Sequence, residues 1–380
     1  MFSKNYIYHS DKKINSLLLK LFSLHPNEID LSLNRIEKLL KKIGNPHLKI
    51  PKVIHIAGTN GKGSTATIIY ELQKKFGKKV HLYRSPHLIT FNERIHISNK
   101  EISNDYLKEI LERISIVNKN DPITFFEITT AAAFLSFSEN YADLVILEVG
   151  LGGKFDATNV IKNKAASIIT TIGIDHTEYL GNTLSKITRE KVGIVTSNSL
   201  LISTKQKKSV NNIIKATAKD KKCKSYIYGL DWLIKNKTLF FDNNKINLSQ
   251  LSLIGDHQLY NASCAIIACK KIKDLDFDKK KALAFIQNIK WLGRLHKIEG
   301  NIGKKYPCSN IWVDSAHNEL GFKVIKKWVR KNFFSELIVI VGLGIKKDYK
   351  KVLLEIKEMN PTFICFIKEV RFSSHSPEKL

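Results

Sequence analysis

The sequence predicts an α/β protein with a large parallel sheet, followed by a second, smaller α/β domain. Short apolar runs alternate with helical segments along most of the 380 residues. Runs without polar alternation are typical of parallel strands whose two faces are both covered by helices. The alternation is interrupted after about residue 230 and starts again after Gly293. A chain of this length has room for two or three domains.

The predicted elements of the first part follow the apolar runs in chain order. We expect its strands at Val53–Ala57, Val80–Tyr83, 144–149, 166–172 and Leu200–Ser203. Helices are expected at 65–75, 128–137 and 261–273. Shorter alternating stretches at 232–237 and 238–243 predict a small antiparallel excursion before the last of these helices.

The second part repeats the strand–helix alternation on a smaller scale. Its strands are expected at 311–313, 337–341 and 363–367, and its helices at 322–331 and 349–359. We place a linker near 293–298, so that residues 1–293 form the first domain and residues 298–380 the second.

The chain is strongly basic, with 62 Lys and Arg against 35 Asp and Glu and a net charge of +27. Such an excess suggests nucleic acid or an anionic membrane as a partner. Only eight of the basic residues are Arg, and the lysines are scattered along the chain. The basic clusters at 205–208 and 279–281 contain no aromatic side chain on which bases could stack. We therefore expect neither partner, and a nucleic-acid-binding protein stays open as an alternative.

The five cysteines, at 223, 264, 269, 308 and 365, show no C-x-x-C spacing. This pattern argues against a disulfide framework and a structural zinc site, and predicts reduced thiols. The apolar stretch at 14–24 is interrupted by Lys20 and does not resemble a signal peptide. No run approaches the ~20 apolar residues of a membrane span. We expect a soluble, cytoplasmic protein.

The strongest local motif is a Gly-rich turn between a predicted strand and a predicted helix. Its residues are Gly58, Thr59, Asn60, Gly61, Lys62, Gly63, Ser64 and Thr65. Backbone N–H groups of such a turn and the helix N-terminus favour a bound phosphate. Lys62 can neutralise phosphate charge, and a hydroxyl of Ser64 or Thr65 can face Mg²⁺.

Acidic and His side chains follow several predicted strands. Glu148 ends one apolar run, His176 follows another within Asp-His-Thr-Glu, and His317 follows a third within Asp-Ser-Ala-His-Asn. Ligands bind at the carboxyl ends of parallel strands, so these side chains can meet there. Oxygen ligands of this kind suit Mg²⁺.

Taken together, the motifs resemble the folate branch of the Mur ligase superfamily, the dihydrofolate synthases and folylpolyglutamate synthases. The resemblance extends over nearly the whole chain. The segments that carry it are HIAGTNGKGST (55–65), SPHL (85–88), LEVGLGGKFDATN (147–159), TIGIDHTEYLG (171–181), REKVGI (189–194), GDHQLYNA (255–262), WLGR (291–294) and DSAHN (314–318).

The resemblance implies a role for each matching residue. ATP would be held by residues 58–65, with Asn261, Arg294 and Asp314. Two Mg²⁺ ions would be bound by Ser85, Glu148 and His176. Lys62, Lys191 and His317 would be catalytic, with Lys191 as a carbamate. Arg94, Phe126 and Asp156 would bind the folate-type substrate.

The resemblance also implies a fold, a reaction and partners. The fold would be a P-loop ATPase domain followed by a Rossmann-like domain. ATP would phosphorylate the carboxylate of dihydropteroate or a tetrahydrofolate, and L-glutamate would displace phosphate from the acyl phosphate. The enzyme would act as a monomer. The signatures at 29–33, Phe126 and Asp156 favour a bifunctional enzyme.

Four residues depart from the pattern that is usual in the family. Arg84 stands where a small polar residue is usual, Lys154 where Arg is usual, Leu292 where Pro is usual, and Ser315 where Gly is usual. Family members also continue beyond the position of Leu380, so we expect an incomplete second domain. Two further alternatives stay open: a cell-wall or other amino-acid ligase, which Gly63 disfavours, and an inactive ATP-binding fragment.

Overall fold

The computed structural model describes residues 7–25, 29–307, 309–332, 335–368 and 373–380. Within them, eight strands form one main sheet. These strands are β1 (Val53–Ala57), β2 (Val80–Tyr83), β3 (Ile95–Ile97), β4 (Lys100–Glu101), β5 (Leu144–Glu148), β6 (Ala166–Ile169), β7 (Leu200–Ser203) and β8 (Lys224–Ile227). Their order in the sheet is β4-β3-β2-β5-β1-β6-β7-β8. The pairs from β2 to β8 are parallel, and β3 and β4 add an antiparallel edge.

The register of the three central strands positions the functional residues. In β1, β5 and β6 every residue is buried, as expected for apolar runs covered on both faces. Ile56 of β1 lies opposite Glu148, and Ala57 lies opposite Ile169. The three strands therefore end side by side, and the loops that follow them share one edge of the sheet.

Helices cover both faces of this sheet. The α-helices of the whole described part of the chain are α1 (Lys12–Phe22), α2 (Asn34–Lys42), α3 (Lys62–Lys75), α4 (Asn104–Asn118), α5 (Phe125–Ser138), α6 (Thr177–Leu180), α7 (Leu184–Val192), α8 (Lys208–Asp220), α9 (Asp256–Lys271), α10 (Lys279–Ile286), α11 (Gly300–Lys305), α12 (Glu319–Lys331) and α13 (Tyr349–Lys357). One face is covered by α3, α9 and α10. The other is covered by α1, α2, α4 and α5 at one end and by α7 and α8 at the other.

Smaller sheets follow the main one. An antiparallel sheet consists of β9 (Trp232–Lys235), β10 (Thr238–Phe241) and β11 (Asn244–Asn247), which confirms the predicted excursion. The C-terminal region has β12 (His296–Lys297) paired with β13 (Trp312–Val313), and β14 (Ile338–Val341) paired with β15 (Phe363–Phe366). Helices α12 and α13 pack around a separate apolar cluster that includes Phe322 and Val352.

The predicted fold class is confirmed, with corrections to several bounds. The strand expected at 166–172 ends at Ile169, because the chain beyond it bonds to the Gly-rich loop instead: Thr171 O accepts hydrogen bonds from Thr59 N and Asn60 N. The helix expected from residue 65 already begins at Lys62. The short strand β13 pairs antiparallel with β12 and, within the described ranges, does not extend the β14–β15 sheet.

Two further expectations concern cysteines and membrane spans. The described cysteines, Cys223, Cys264, Cys269 and Cys365, are free thiols, and Cys308 lies outside the described residues. None of the helices in the described ranges combines the length and the apolar composition that crossing a membrane requires.

Candidate active site

The Gly-rich loop joins β1 to α3, as its sequence predicts. Gly61 adopts φ 95° at the helix N-terminus, a left-handed conformation that favours glycine. A Cβ at Gly58 would lie 1.8 Å from Thr170 Oγ1, so a side chain there would collide with the neighbouring strand's loop. Lys62 Nζ donates to the carbonyls of Gly58 and Thr59, at 3.2 and 3.3 Å. Its ammonium therefore lies over the loop, where an anion held by the backbone would be neutralised.

Glu148 lies against this loop. Its side chain is buried at the end of β5 and accepts a hydrogen bond from the backbone N–H of Ser85. Burial raises the pKa of Glu148, while the charges of Lys62 and Arg294 oppose the rise. A Cβ at Gly63 would lie 3.5 Å from Glu148 Oε2. The carboxylate, the Gly-rich loop and the SPHL loop are thus neighbours.

The residues around Glu148 fit a hard divalent cation. Thr65 Oγ1 is buried and has no hydrogen-bond partner among the described residues. A buried carboxylate and a hydroxyl are the oxygen donors that Mg²⁺ takes, with substrate phosphates completing its shell. In the described part of the chain, no three His, Cys, Asp or Glu side chains are grouped as a metal site. A protein-only cage is not required for Mg²⁺ held in this way.

Lys191 approaches the same loop from α7. It is buried, and its Nζ donates to Gly58 O at 3.0 Å. Burial, reinforced by the charge of Lys62, lowers the pKa of Lys191 to about 7. A substantial fraction of this amine is therefore neutral near pH 7, which carbamate formation requires.

Asp175 connects the loop after β6 to the C-terminal region. Its carboxylate accepts hydrogen bonds from Lys347 Nζ at 2.7 Å and Asn318 Nδ2 at 2.9 Å. His317 Nε2 lies 3.4 Å from the same carboxylate. Burial alone would raise the pKa of Asp175, but the hydrogen bond from His317 and the charges of His176 and Lys347 bring it well below its usual range.

His176 follows Asp175 in a left-handed conformation, with φ 51°, at the start of α6. Burial and the surrounding positive charges lower the pKa of His176 to about 3. The ring is therefore neutral at physiological pH, as a metal ligand must be.

A second group of predicted residues lies at the other end of the Gly-rich loop. Asn261, on α9, is packed so closely that a Cβ at Gly61 would lie 2.5 Å from its Oδ1. Asp314 accepts hydrogen bonds from Leu295 N and Ala316 N, at 2.8 and 2.7 Å. Burial raises the pKa of Asp314, against the nearby charge of Arg294. The charge of Arg294 therefore acts on both Glu148 and Asp314.

The three predicted substrate residues occupy different environments. Phe126 lies at the carboxyl end of β5, where a Cβ at Gly150 would lie 2.5 Å from its Cζ. Arg94 is buried, and its Nε donates to His87 Nδ1 at 2.8 Å. Asp156 is buried too, and its carboxylate accepts hydrogen bonds from the backbone of Leu151 and Thr158.

Comparison with known proteins decides the family. Residues 56–269, more than half of the chain, match the Mur ligase middle domain family. Dihydrofolate synthetase of Saccharomyces cerevisiae is 33% identical over 332 residues, which cover 82% of this chain and 75% of the yeast protein. The chain belongs to the folate branch of the Mur ligases.

Other members of the branch give the same result. Dihydrofolate synthase/folylpolyglutamate synthase of Bacillus subtilis is 31% identical over 346 residues, covering 86% of this chain and 78% of the relative. The structure of E. coli FolC in complex with DHPP and ADP superposes with a TM-score of 0.84 at 26% identity. That match covers 96% of this chain and 85% of the E. coli chain. The ligase fold predicted from the motifs is confirmed.

The structure brings most of the predicted site residues of this ligase to one edge of the sheet. The Gly-rich loop, Glu148, Ser85, Lys191, Asn261 and Arg294 form one group, and His176 and His317 adjoin it through Asp175. Arg94 and Asp156 instead form hydrogen bonds with neighbouring loops of the chain, Arg94 with His87 and Asp156 with Leu151. The ligand roles assigned to all of these residues stay predictions.

The structure also shows residues that the prediction left out. Asp175 and Asn318 lie inside motifs that the sequence displays, each beside a predicted His. Arg84 appears in the sequence only as a departure from the family pattern. Lys347 carries no local signal, because its partner Asp175 lies 172 positions away in the chain.

Proposed function

We propose that this ligase uses ATP to join L-glutamate both to dihydropteroate and to reduced folates. Its relatives carry the names of both activities, and the E. coli structure contains DHPP and ADP. The observation that carries the proposal is the buried carboxylate of Glu148 between Ser85 and the Gly-rich loop. A buried carboxylate without cations nearby would be costly, so its position indicates a charged ligand assembly.

Nucleotide binding follows from the Gly-rich loop. The loop N–H groups and the N-terminus of α3 would bind the phosphates, and Lys62 would neutralise their charge. Asn261 lies against Gly61, where the base or ribose side of the nucleotide would continue. Arg294 and Asp314 would complete the site from the C-terminal side.

The metal proposal assigns Ser85, Glu148 and a loop hydroxyl to one Mg²⁺. Glu148, His176 and a carbamate on Lys191 would hold a second. Bound Mg²⁺ supplies positive charge that stabilises the phosphates during transfer. Support comes from the unpartnered hydroxyl of Thr65 and from the pKa of about 7 of Lys191.

The reaction then has two bond exchanges. A carboxylate oxygen of the pteroate or folate attacks the γ-phosphorus, the bond to the β,γ-bridging oxygen breaks, and ADP leaves. The amine of L-glutamate next attacks the acyl carbon and loses a proton, and the bond to the phosphate oxygen breaks. Positioning and charge neutralisation dominate such phosphoryl transfer, which fits the positive charge that Lys62, Arg294 and His317 would supply.

The substrate would lie beside Phe126. This ring lies over Gly150, next to the end of β5, and its packing against Tyr83 has a centroid distance of 6.0 Å. An aromatic surface next to a carboxylate-activating centre suits a flat pterin or benzoyl ring. Asp156 would act mainly on the loop that carries it, because backbone donors already occupy its carboxylate.

We further propose that the chain divides near 293–298. Phe322, Val352 and their neighbours form an apolar cluster without members from the main sheet. The monomeric state and the cytoplasmic location are retained as predictions.

The test is phosphate release from MgATP and L-glutamate, measured without acceptor, with dihydropteroate and with tetrahydrofolate. We expect release with each acceptor and little without one. Release with dihydropteroate alone would remove the second activity from the proposal. No stimulation by either acceptor, with MgATP still bound, would favour an inactive fragment or a different acceptor, such as the UDP-linked peptides of cell-wall ligases.

A further inference from the structure

Two of the residues that depart from the family pattern contact the same short segment. This segment, Trp291–Leu292–Gly293–Arg294, is called the WLGR segment below. Arg84 contacts it from the main sheet, and Ser315 contacts it from the C-terminal region. Neither residue is among the predicted ATP, metal or substrate ligands.

Arg84 stacks on Trp291. Its guanidinium carbon lies 4.7 Å from the centroid of the indole ring, within the range of a cation–π contact. Arg84 Nε donates to Glu93 O at 2.8 Å, which fixes the plane of the guanidinium. The indole in turn covers the Gly-rich loop, since a Cβ at Gly63 would lie 3.3 Å from Trp291 Cζ2. Trp291 of the WLGR segment therefore lies between Arg84 and the Gly-rich loop.

Ser315 holds the other side of the segment. Its Oγ donates to Gly293 O at 2.9 Å, and its backbone N donates to the same carbonyl at 3.0 Å. The hydroxyl is a second donor that glycine at this position would lack. Gly293 adopts φ 69°, a left-handed backbone conformation that residue types other than glycine rarely adopt.

The segment itself has little to keep it rigid. Leu292 is 50% exposed and, unlike proline, leaves the backbone free to rotate. Arg294 follows directly, and its charge acts on both Glu148 and Asp314. The contact of Arg84 with Trp291 and the hydrogen bond of Ser315 to Gly293, one on each side of Leu292, supply the restraint that the backbone lacks.

We propose that Arg84 and Ser315 are positioning residues, which hold the WLGR segment on the Gly-rich loop and thereby place Arg294 for the nucleotide. This inference rests on the proposed function only in that a nucleotide is bound there. Arg84 acts through the flat face of its guanidinium, and Ser315 acts through its hydroxyl. Both act before any acceptor binds.

The test compares Arg84→Met and Ser315→Ala with matched controls. Lys79→Met removes a cation stacked on Tyr141 at the opposite end of β2, and Ser199→Ala removes a hydroxyl bonded to Thr196 O far from the segment. Two readouts need no turnover: the Kd for MgADP, and the rate of tryptic cleavage after Lys290 and Arg294, with the peptides identified by mass spectrometry.

We expect Arg84→Met to weaken MgADP binding by about 5- to 30-fold, the range of a desolvated cation–π contact. Ser315→Ala should weaken it by about 2- to 10-fold, since the backbone donor to Gly293 remains. Cleavage at the segment should accelerate in both variants and in neither control. In the double variant, MgADP binding should weaken by less than the product of the two single fold-changes, because both residues restrain one segment.

Arg84→Lys separates stacking from charge. Lysine keeps a cation that can lie over the indole but lacks the planar face and the Nε donor to Glu93 O, so we expect a loss of MgADP affinity smaller than that in Arg84→Met. Full recovery by Arg84→Lys would overturn the role of the planar guanidinium and leave a role of the positive charge alone. Wild-type cleavage and wild-type MgADP affinity in Arg84→Met and Ser315→Ala would overturn the inference as a whole.

Two measurements keep the result interpretable. Thermal midpoints identify a variant that has merely lost stability, and cleavage at the segment is then compared with cleavage at other sites in the same digest. Wild-type protein that shows no acceptor-dependent phosphate release would contradict the proposed function, while the cleavage and MgADP results would still decide the roles of Arg84 and Ser315.

Discussion

Asn60 and Asn318 bind each other through both halves of their side-chain amides. Asn60 Nδ2 donates to Asn318 Oδ1 at 3.0 Å, and Asn318 Nδ2 donates to Asn60 Oδ1 at 3.1 Å. The two residues are 258 positions apart, one in the Gly-rich loop and the other at the start of α12. This amide pair connects the Gly-rich loop directly to the C-terminal region.

A double-mutant cycle on the amide pair should show strong coupling. Asn60→Ala and Asn318→Ala each break the same two hydrogen bonds, so their combined effect on kcat/KM should be smaller than the sum. We expect a coupling free energy of about 1–2 kcal/mol, as for two part-buried hydrogen bonds between side-chain amides. Additive effects, with no coupling in kcat/KM or in MgADP affinity, would show that the pair is not made in the working enzyme.

Replacement of Lys62 by Met should remove most of the activity and leave the fold intact. The ammonium lies over the Gly-rich loop, and loss of such a charge costs about 10²–10³-fold in rate. The measurement is acceptor-dependent phosphate release, with MgADP affinity as the second readout. Lys74→Met is the matched control, because Lys74 is on the same helix and stacks on Tyr70. Activity close to wild type in Lys62→Met would contradict the phosphate role.

Stability should depend on pH through a buried lysine outside the site. Lys164 is 4% exposed, and its Nζ donates to Asn159 Oδ1 at 2.6 Å and Ile194 O at 2.7 Å. Burial, with the charge of Lys162, lowers the pKa of Lys164 to about 7, against the opposing charge of Asp156. His55, also buried, is a further titratable group nearby.

The sign of the effect follows from the proton count. Between pH 7 and the ordinary lysine value near pH 10, the unfolded chain holds this proton and the folded chain does not, so stability rises with pH. The rise from pH 7 to pH 9 is about 2 kcal/mol for this group. Urea unfolding should show that Lys164→Met has a shallower pH dependence than the wild type.

Lys219→Met is the control for this experiment, since Lys219 is an exposed lysine on α8. It should keep nearly the whole pH dependence. Lys191, whose pKa is also about 7, contributes equally to all three proteins, so the difference isolates Lys164. An unchanged slope in Lys164→Met would mean that Lys164 stays charged in the folded protein.

Replacement of Phe126 by Leu should affect the acceptor and spare the nucleotide. The ring lies over Gly150 at the end of β5, where the flat substrate would pack. We expect the KM for dihydropteroate to rise by about 10-fold with the KM for ATP unchanged, from lost aromatic contact. Phe240→Leu, in the small antiparallel sheet, serves as the control. Equal rises in both KM values would indicate a general loss of structure instead.

The sequence predicts the main sheet well because its central strands are continuous apolar runs. Val53–Ala57 and Leu200–Ser203 are strands with the predicted bounds. The edge strands β3 and β4 were not predicted, since three- and two-residue strands carry hardly any periodic signal. The two-residue strand β13 shows the same limit: its pairing with β12 depends on contacts made in three dimensions.

The site could be predicted where its residues follow strands within recognisable motifs. Glu148 and the Gly-rich loop meet because Ile56 and Glu148 are opposite each other in the register of β1 and β5. Contacts between segments that are distant in the chain could not be predicted from the sequence. Examples are Lys347 with Asp175 and Arg84 with Trp291. Asp156 lies in a motif as expected, yet its carboxylate already accepts hydrogen bonds from the backbone of Leu151 and Thr158, which spacing alone does not reveal.

The most direct test of the ligase reaction follows one oxygen atom. Dihydropteroate labelled with oxygen-18 in its carboxylate is turned over with MgATP and L-glutamate, and the released phosphate is analysed by mass spectrometry. Transfer through an acyl phosphate predicts one labelled oxygen in each phosphate and one retained in the new amide. Unlabelled phosphate released together with dihydrofolate would contradict the acyl phosphate, and the absence of dihydrofolate would contradict the assignment as a dihydrofolate-forming ligase.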